Sequence, residues 1–233
     1  STVSANTTAG FSIVSYTGNG ILGATVGHGL GASLGLLITK PRSISGGWAL
    51  ASTGLGTTGD TLGGFPESFY IALNATGGKS NNGSSVLALG DTTKFAIGNG
   101  LEMNQSSATY VAYCFAPVEG YSAFGSYTGN GSTDGPFVYT GFRPAWIMIR
   151  RTDTTGNWQI QDSSRTPFNW TCNALFADSA GAENTSELQS TYGRDYLSNG
   201  FKIRSSHTSH NTNGGTYIYM AFAENPFKNA NAR

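Results

Sequence analysis

The chain has 233 residues, of which 13 are Lys or Arg and 13 are Asp or Glu, so the formal net charge is zero and charged residues make up only 11%. This balance argues against a nucleic-acid partner, which would require a basic stripe, and against attraction to an anionic membrane. Aromatic residues reach 12% and there are 33 glycines, a composition typical of a β-rich protein with short strands rather than of a disordered chain. No apolar run is long enough to cross a membrane. Because the sequence begins at Ser1 rather than Met, we expect a fragment or a processed product.

An internal repeat is the strongest pattern in the chain. The motif SYTGNG occurs at Ser15–Gly20 and recurs unchanged at Ser126–Gly131. Near the end of each half, the apolar segment 108–116 is matched by 215–223. Since the order is kept and the spacing nearly so, the sequence predicts one ancestral module copied in tandem.

Strands are predicted in corresponding pairs along the two halves, separated by Asn-Gly and Asp-Gly turns that favour tight hairpins. No helix is predicted. The last strand of each half carries no charge on either face, which predicts a central position in its sheet. In chain order, the predicted strands are 11–16, 35–40, 48–51, 69–73, 86–89, 95–98, 110–116, 121–127, 137–139, 145–151, 158–161, 174–176, 201–204 and 217–223.

The repeat divides the chain into two modules, 10–119 and 120–227, with no linker between them. Residues 1–9 are polar and patternless and predict an N-terminal linker or arm, and residues 228–233 predict a polar C-terminal tail. Each module is long enough to close its own small sandwich, although the two could instead supply the halves of one larger sandwich. We favour two abutting modules because each carries its own strand set.

No catalytic or metal-binding set stands out. Most acidic residues of the second copy lie beside Gly, Ser or Thr, and none forms a spaced pair of the kind that glycoside hydrolysis requires. His207 and His210 are the only histidine pair, but no Cys or nearby acid completes a ligand set, and a polar hairpin loop is the simpler interpretation. We therefore expect no catalytic residue, no metal and no cofactor.

Aromatic and polar residues of the second copy are the candidates for ligand binding. Trp48 and Trp158 occupy matching positions, which favours core tryptophans over sugar-stacking platforms, whereas Trp146 and Trp170 have no tryptophan counterpart in the first copy. Around residue 194, aromatic and charged side chains alternate in the mixture that glycan sites use. The candidate ligand-binding residues are Trp146, Trp170, Tyr192, Arg194, Asp195, His207 and His210.

The segment 120–149 resembles a repeat common in tail-fibre-like and other virion-associated proteins of marine tailed bacteriophages. Residues 10–20 open the first copy in the same style, and 197–204 with 214–223 close the second copy similarly. The first copy lacks the proline that is common in this repeat, whereas the second keeps Pro144. The resemblance implies a concanavalin A-like or laminin G-like β-sandwich that binds rather than catalyses, and it brings no catalytic residue set with it.

The predicted fold is therefore all-β: an antiparallel β-sandwich, jelly-roll and lectin-like, built from an internal tandem duplication. The resemblance implies a non-enzymatic phage virion structural protein on the particle exterior, most simply a tail-fibre or receptor-binding module. Such a module would recognise a host cell-surface glycan or protein through loops at one end of the sandwich.

Two other functions stay open. The alternative is an architectural protein of the capsid decoration, the baseplate or the fibre shaft. A third is a glycan depolymerase that uses Tyr192, Arg194 and Asp195. The expected partners are other virion subunits, a host surface glycan and further copies of this chain, a trimer by analogy with tail fibres. Neither nucleic acid nor membrane insertion is expected.

Overall fold

Antiparallel β-strands form nearly all of the regular structure. The computed structural model describes residues 1–81, 86–183 and 189–224 of the chain. The helical turns within these residues are Thr53–Leu55, α1 (Gln189–Tyr192) and α2 (Thr208–Asn211). The predicted β class is thus confirmed in its general form, as several antiparallel sheets with almost no helix. None of the described helices has the length and apolar character that crossing a membrane requires.

The chain divides into two compact units. Unit 1 comprises Ser1–Asn74 and Lys79–Val118, and unit 2 comprises Ala75–Gly78 and the chain from Glu119 onward. The predicted C-terminal tail, 228–233, lies outside the described residues.

Unit 1 has two antiparallel sheets. Its strands are β1 (Thr2–Asn6), β2 (Phe11–Thr17), β3 (Ala24–Gly27), β4 (Leu36–Pro41), β5 (Ala49–Ser52), β6 (Thr57–Leu62), β7 (Phe65–Ser68), β8 (Ile71–Ala72), β9 (Leu87–Ala88), β10 (Lys94–Ile97) and β11 (Thr109–Phe115). The first sheet has the order β1-β2-β11-β4-β5-β8, and the second has the order β3-β10-β9-β7-β6.

Unit 2 also has two antiparallel sheets. Its strands are β12 (Ser122–Thr128), β13 (Phe137–Tyr139), β14 (Pro144–Arg151), β15 (Gln159–Asp162), β16 (Leu175–Phe176), β17 (Arg194–Leu197), β18 (Gly200–Ile203) and β19 (Thr216–Ala223). The first sheet has the order β12-β19-β14-β15-β16, and the second has the order β13-β18-β17.

The two apolar strands β11 and β19 lie inside their sheets. β11 pairs with β2 on one side and β4 on the other, and β19 pairs with β12 and β14. The central position predicted from their uncharged faces is confirmed. Because both edges of each strand are hydrogen bonded, no backbone group along them has to be satisfied by water.

Each unit has an apolar core cluster that draws side chains from both of its sheets. In unit 1, Val14 and Tyr110 of the first sheet pack in one cluster with Val26 and Phe95 of the second sheet. The corresponding contributors in unit 2 are Ile147, Tyr217, Val138 and Phe201. Burial of these large side chains is the main stabilising contribution to each unit, at about 1.5–3 kcal/mol for each one.

The same pair of stacked tyrosines stands in both cores. Tyr16 and Tyr110 stack with ring centroids 5.2 Å apart and an interplanar angle of 15°. Tyr127 and Tyr217 stack at 5.0 Å and 13°. The first tyrosine of each pair belongs to the SYTGNG motif, so the motif contributes a core ring as well as a turn.

A buried asparagine holds the turn of the motif in each unit. In unit 1, Asn104 accepts a hydrogen bond from the backbone N–H of Asn19 at 2.8 Å. In unit 2, Asn211 accepts one from the N–H of Asn130, also at 2.8 Å. We call this contact the asparagine clamp. The motif has the same spacing in both units because its turn must lie within hydrogen-bonding distance of the clamping asparagine.

The N-terminal segment differs from its prediction. The sequence predicts a linker or arm at 1–9, but Thr2–Asn6 form β1, which pairs with β2 in an unbroken register. All five residues of β1 are exposed. The strand therefore buries no face, and its side chains lack the alternation by which strands are recognised in a sequence.

We expect Asn211→Ala to lower the free energy of unfolding of unit 2 by about 2–3 kcal/mol, because buried backbone groups lose their partners. The Asn211 amide donates to the carbonyls of Ser132 at 2.7 Å and Ser205 at 2.8 Å. Urea unfolding followed by tryptophan fluorescence measures the change. The exposed neighbour provides the control, Asn213→Ala, with an expected change below about 0.5 kcal/mol. Equal effects of the two substitutions would contradict the clamp.

Candidate functional site

Unit 2 contains a group of buried polar side chains, called the polar cluster below. It comprises Gln159 and Gln161 on β15, Arg194 and Tyr196 on β17, and His210 on α2. Each of these residues is at most 1% exposed. Polar groups buried to this extent normally have hydrogen-bond partners, because burial without them is costly.

Arg194 lies at the centre of the polar cluster and is held by two glutamines. Its Nη1 donates to Oε1 of Gln161, and its Nη2 donates to Oε1 of Gln159 at 2.6 Å. The Gln161 amide nitrogen donates to the carbonyl oxygens of Tyr192 at 3.0 Å and Thr171 at 3.4 Å. These two bonds fix the amide orientation, so that its oxygen faces Arg194.

The partners of the Arg194 guanidinium are neutral amides rather than carboxylates. Burial lowers the pKa of Arg194 from its ordinary value, although nearby Tyr127 and Tyr196 oppose this effect. An arginine nevertheless keeps its proton at neutral pH. Unit 2 therefore holds a positive charge in its interior without an opposite charge beside it, an arrangement that costs stability.

Several atoms of the polar cluster have unused hydrogen-bonding capacity. Nε of Arg194, Nε2 of Gln159, the hydroxyl of Tyr196 and Nε2 of His210 are buried without a partner. In the described part of unit 1, only Ser12 Oγ is in this state. Each such atom costs about 1–3 kcal/mol. At least two of the four are obligatory donors, so the cluster suits a group that accepts hydrogen bonds.

The two glutamines replace alanines of unit 1. Ala51 pairs with Leu37 of β4 as Gln161 pairs with Ile147 of β14. Two residues earlier, unit 1 again has alanine, Ala49, where unit 2 has glutamine. Both alanines belong to the apolar core of unit 1.

Arg194 replaces a leucine of unit 1. Leu87 faces Ile97 across the β9–β10 pair, and Arg194 faces Ile203 across the β17–β18 pair. Leu87 is fully buried in the apolar core. The arginine thus occupies a core position rather than a surface position that happens to be covered.

His210 replaces a methionine of unit 1. The Tyr16 hydroxyl donates to the carbonyl of Met103 at 2.7 Å, and the Tyr127 hydroxyl donates to the carbonyl of His210 at 2.8 Å. Both residues are fully buried. Four positions that are apolar in unit 1 are therefore polar in unit 2, which makes the polar cluster a property of one unit alone.

An aromatic rim, formed by Phe176, Tyr192 and His207, lies beside the polar cluster. The Tyr192 ring centroid is 5.9 Å from that of Phe176, 5.7 Å from that of His207 and 6.1 Å from that of His210. His207 is exposed and Tyr192 is partly exposed, whereas His210 is buried. Tyr192 and His207 therefore lie between the surface and the buried ring of His210.

The short helix α2 fixes the two histidines of the site. Nδ1 of His207 lies 2.6 Å from the Ser209 hydroxyl and accepts from the Ser209 N–H at 3.3 Å, which caps the helix. The same hydroxyl is 3.4 Å from Nδ1 of His210. Burial and the neighbouring Arg194 and His207 hold the pKa of His210 well below its usual range, so that its ring is neutral at pH 7.

The structure brings four of the predicted site residues together, namely Tyr192, Arg194, His207 and His210. The simpler interpretation of the histidine pair as a hairpin loop is wrong, because His207 is the N-cap of the helical turn α2 and His210 lies within it. Gln159 and Gln161 were not predicted, and Tyr196 belongs to the aromatic and polar mixture noted around residue 194 without being one of the seven candidate residues. The signal for the glutamines was present in the sequence, because Ala49 and Ala51 correspond to them in the repeat.

The other three predicted site residues lie elsewhere. Asp195 is adjacent to Arg194 on β17, so its side chain points to the opposite face, where it accepts from Arg204 Nε at 2.5 Å. Trp146 packs against Phe222, with ring centroids 5.8 Å apart. Trp170 is 40% exposed and precedes Thr171.

Carboxylates in the described part of unit 2 are held by cations or by backbone and amide donors. Asp162 and Glu183 share Arg165, each at 2.5 Å. Further bound carboxylates are Asp134, Asp153, Asp178, Asp195 and Glu224. Within the described residues, no group of three or more His, Cys, Asp or Glu could hold a metal ion. What the polar cluster offers chemically is hydrogen bonding and a positive charge.

The chain belongs to a family of unknown function: residues 1–226 match the model of the domain of unknown function DUF7483. A single family model thus spans both units. No curated protein and no solved structure matches the chain.

We expect Gln161→Met alone to destabilise unit 2 by about 2–3 kcal/mol, because it removes an acceptor from a buried charge. The triple variant Gln159→Met, Gln161→Met and Arg194→Met removes the charge together with its acceptors, and we expect it to be more stable than the single variant. Urea unfolding of the wild type, the single variant and the triple variant ranks their free energies of unfolding. A triple variant less stable than Gln161→Met would contradict the cost assigned to the buried guanidinium.

We expect the stability of unit 2 to fall as the pH decreases below about 6.5, the ordinary pKa of histidine. His210 is neutral in the folded state and binds a proton on unfolding, so the unfolded state takes up more protons in this window. His210→Met, which introduces the residue found in unit 1, removes this dependence, whereas the exposed His207→Gln retains it. Thermal unfolding between pH 5 and 8 measures the difference, and identical pH profiles for wild type and His210→Met would contradict the assignment. Burial also lowers the pKa of His28 in unit 1, so a smaller dependence persists in every variant.

Proposed function

We propose that this member of the DUF7483 family is a non-enzymatic structural protein of a phage virion, on the outside of the particle. Its task is to recognise a host cell-surface glycan or protein through the loops that carry the aromatic rim. One observation carries the recognition: unit 2 replaces four apolar core positions with polar ones and leaves hydrogen-bonding atoms unused. The virion context rests on the sequence resemblance of 120–149 and its flanking segments.

Each unit is, in this proposal, a lectin-like β-sandwich with jelly-roll character, and the two are copies of one module. The strand order β2-β11-β4-β5 of unit 1 has its parallel in β12-β19-β14-β15 of unit 2. Stacked tyrosines and the asparagine clamp recur at matching positions. Since the matched features are those of the core and the turns, the differences between the copies are the places to seek function.

The cost of the polar cluster supports a functional role. Unit 1 demonstrates that apolar residues fill the same core positions in this fold, so the fold does not require Arg194 or the glutamines. Buried groups that violate the rules of packing are typical of functional sites, where a ligand or its positioning compensates for lost stability.

The ligand class follows from the chemistry of the rim and the cluster. Tyr192 and His207 present partly or fully exposed rings, and aromatic faces pack against sugar rings and apolar side chains alike. The unused donors belong to residues that are at most 1% exposed, so the rings of the rim make the direct contact with the ligand. The further partners are other virion subunits and copies of this chain, with a trimer expected by analogy with tail fibres.

An architectural role in a capsid decoration, a baseplate or a fibre shaft is the second candidate, and strand β1 favours it. β1 lies at the end of its sheet and exposes all five residues. The strand contains neither a charged residue nor proline, the features by which proteins block edge pairing. A strand of another subunit could extend the sheet there.

We expect the variant Tyr192→Ala/His207→Ala to bind target bacteria at least about tenfold more weakly than wild type, a loss of roughly 1.4 kcal/mol. Phe168→Ala is the matched control, since Phe168 is a 79% exposed aromatic residue of unit 2 outside the rim, and we expect its binding to equal that of wild type. Binding of the labelled full chain to bacterial cells and to an array of surface glycans measures both.

Three outcomes would overturn this proposal. Equal binding by the rim variant and the control would remove the rim as the site. No binding to any cell or glycan by the assembled wild-type chain would favour the architectural role. Release of reducing ends or unsaturated products from a polysaccharide would mean that the chain is a depolymerase.

A further inference from the structure

The outer face of the β13-β18-β17 sheet in unit 2 carries two exposed aromatic rings. Val138 of β13 points into the core, and side chains alternate along a strand. Phe137 and Tyr139 therefore lie together on the opposite face, where they are 44% and 67% exposed. Large exposed rings on one side of a regular strand, in a chain with a filled core, mark an interaction surface.

Two glycines set the positions of these rings. The ring of Phe137 lies across Gly200 on the neighbouring strand, where a Cβ atom would come within 2.9 Å of a ring carbon. Gly141, with φ of +84°, lies close to Tyr139, whose ring would be in van der Waals contact with a Cβ atom there. The Phe137 ring thus rests on the sheet, and its other side faces outward.

Charged side chains on the same face balance one another. Lys202 Nζ lies 2.8 Å from a carboxylate oxygen of Asp134. Arg204 lies 2.5 Å from Asp195 and 3.5 Å from Asp134. Lys202 is paired in register with both Phe137 and Asp195, so the charges border the rings directly. Two positive and two negative groups leave this face without net charge.

Unit 1 closes the corresponding face with apolar side chains. Its counterparts of Lys202 and Asp195 are Ala96 and Ala88, which pair in the same way across β10 and β9. These alanines are buried in a small apolar cluster with Leu62 of β6. Unit 1 therefore covers this face with its own chain, whereas unit 2 exposes it at Phe137, Tyr139 and Asp134 and buries it only at Asp195.

We infer that this open face, defined as Phe137, Tyr139, Asp134, Lys202 and Arg204, binds a neutral carbohydrate chain. The buried Asp195 contributes to the charge balance of the face through its ion pair with Arg204. The two rings belong to alternate residues of β13 and lie on the same face of the sheet, so one extended saccharide can contact both. Aromatic faces pack against the apolar C–H faces of pyranose rings.

The charged groups determine which class of ligand this face can bind. Carboxylates accept hydrogen bonds from sugar hydroxyls, and ammonium and guanidinium groups donate to them, so that the border of the rings can engage hydroxyls of either role. A face of zero net charge offers an anionic polysaccharide no net attraction. Charge complementarity therefore points to an uncharged saccharide rather than to nucleic acid, an acidic glycan or an anionic lipid surface.

The open face and the aromatic rim share no residue, so the two proposals can fail separately. Affinity electrophoresis of the full chain in gels containing a neutral polysaccharide (mannan, dextran or β-glucan) tests the open face, with alginate and heparin as anionic comparisons. We expect the wild type to be retarded by at least one neutral polymer and by neither anionic one. Phe137→Ala/Tyr139→Ala should weaken this retardation at least tenfold.

Two controls separate the open face from the rest of the molecule. Thr25→Ala alters the exposed position of β3 that corresponds to Phe137, and it should bind as wild type does. Phe137→Trp keeps a large ring and should retain binding, and thermal unfolding verifies that every variant is folded. The inference is overturned if the wild type binds only anionic polymers or none, if the double variant binds like wild type, or if Tyr192→Ala/His207→Ala abolishes the retardation instead.

Discussion

The structure depends on one central strand in each unit that is hydrogen bonded along both edges. β11 and β19 carry no charged side chain, and each lies between two partner strands. Neither strand contains a charged residue or a proline, so each can donate and accept backbone hydrogen bonds along its whole length. The differences between the units lie away from these two strands, on β15 of the first sheet, on the second sheet and on α2.

The two units thus separate what the fold requires from what it allows. Required features are the stacked tyrosines, the asparagine clamp and the paired central strand, which recur at matching positions. Allowed features include the core positions of Gln161 and Arg194 and the outer face of the second sheet. In unit 1 both regions are apolar and closed, while in unit 2 both are polar, and one of them is open to solvent. Unit 1 therefore serves as a reference within the same chain, and comparison with it identifies the unusual residues of unit 2.

Much of the fold was predictable from the sequence, and the exceptions have physical reasons. Apolar strands such as β11 and β19 were predicted close to their observed ends because alternation and turn residues agree. Strands β1, β3, β6 and β7 were not predicted, because each of them buries at most one residue. Strand β17 was not predicted because two of its three buried residues, Arg194 and Asp195, are charged. In the site, Tyr192, Arg194 and the histidines were predicted from their chemistry alone. Gln159 and Gln161 were not predicted because a glutamine in a strand is normally interpreted as a surface residue. Comparison with the alanines at the matching positions of the repeat would have indicated that they are buried.

The turn of the SYTGNG motif has a consequence for how related chains are to be compared. Asn130 is held by Asn211, which follows His210 of the polar cluster, and its side chain donates to the carbonyl of Asp134, whose carboxylate belongs to the open face. The motif thus supports the polar cluster and the open face through hydrogen bonds without contributing a residue to either. Its presence in another protein therefore indicates a shared backbone arrangement and does not indicate a shared ligand. The residues that distinguish the function of one related chain from another should be sought at the positions where the two units differ.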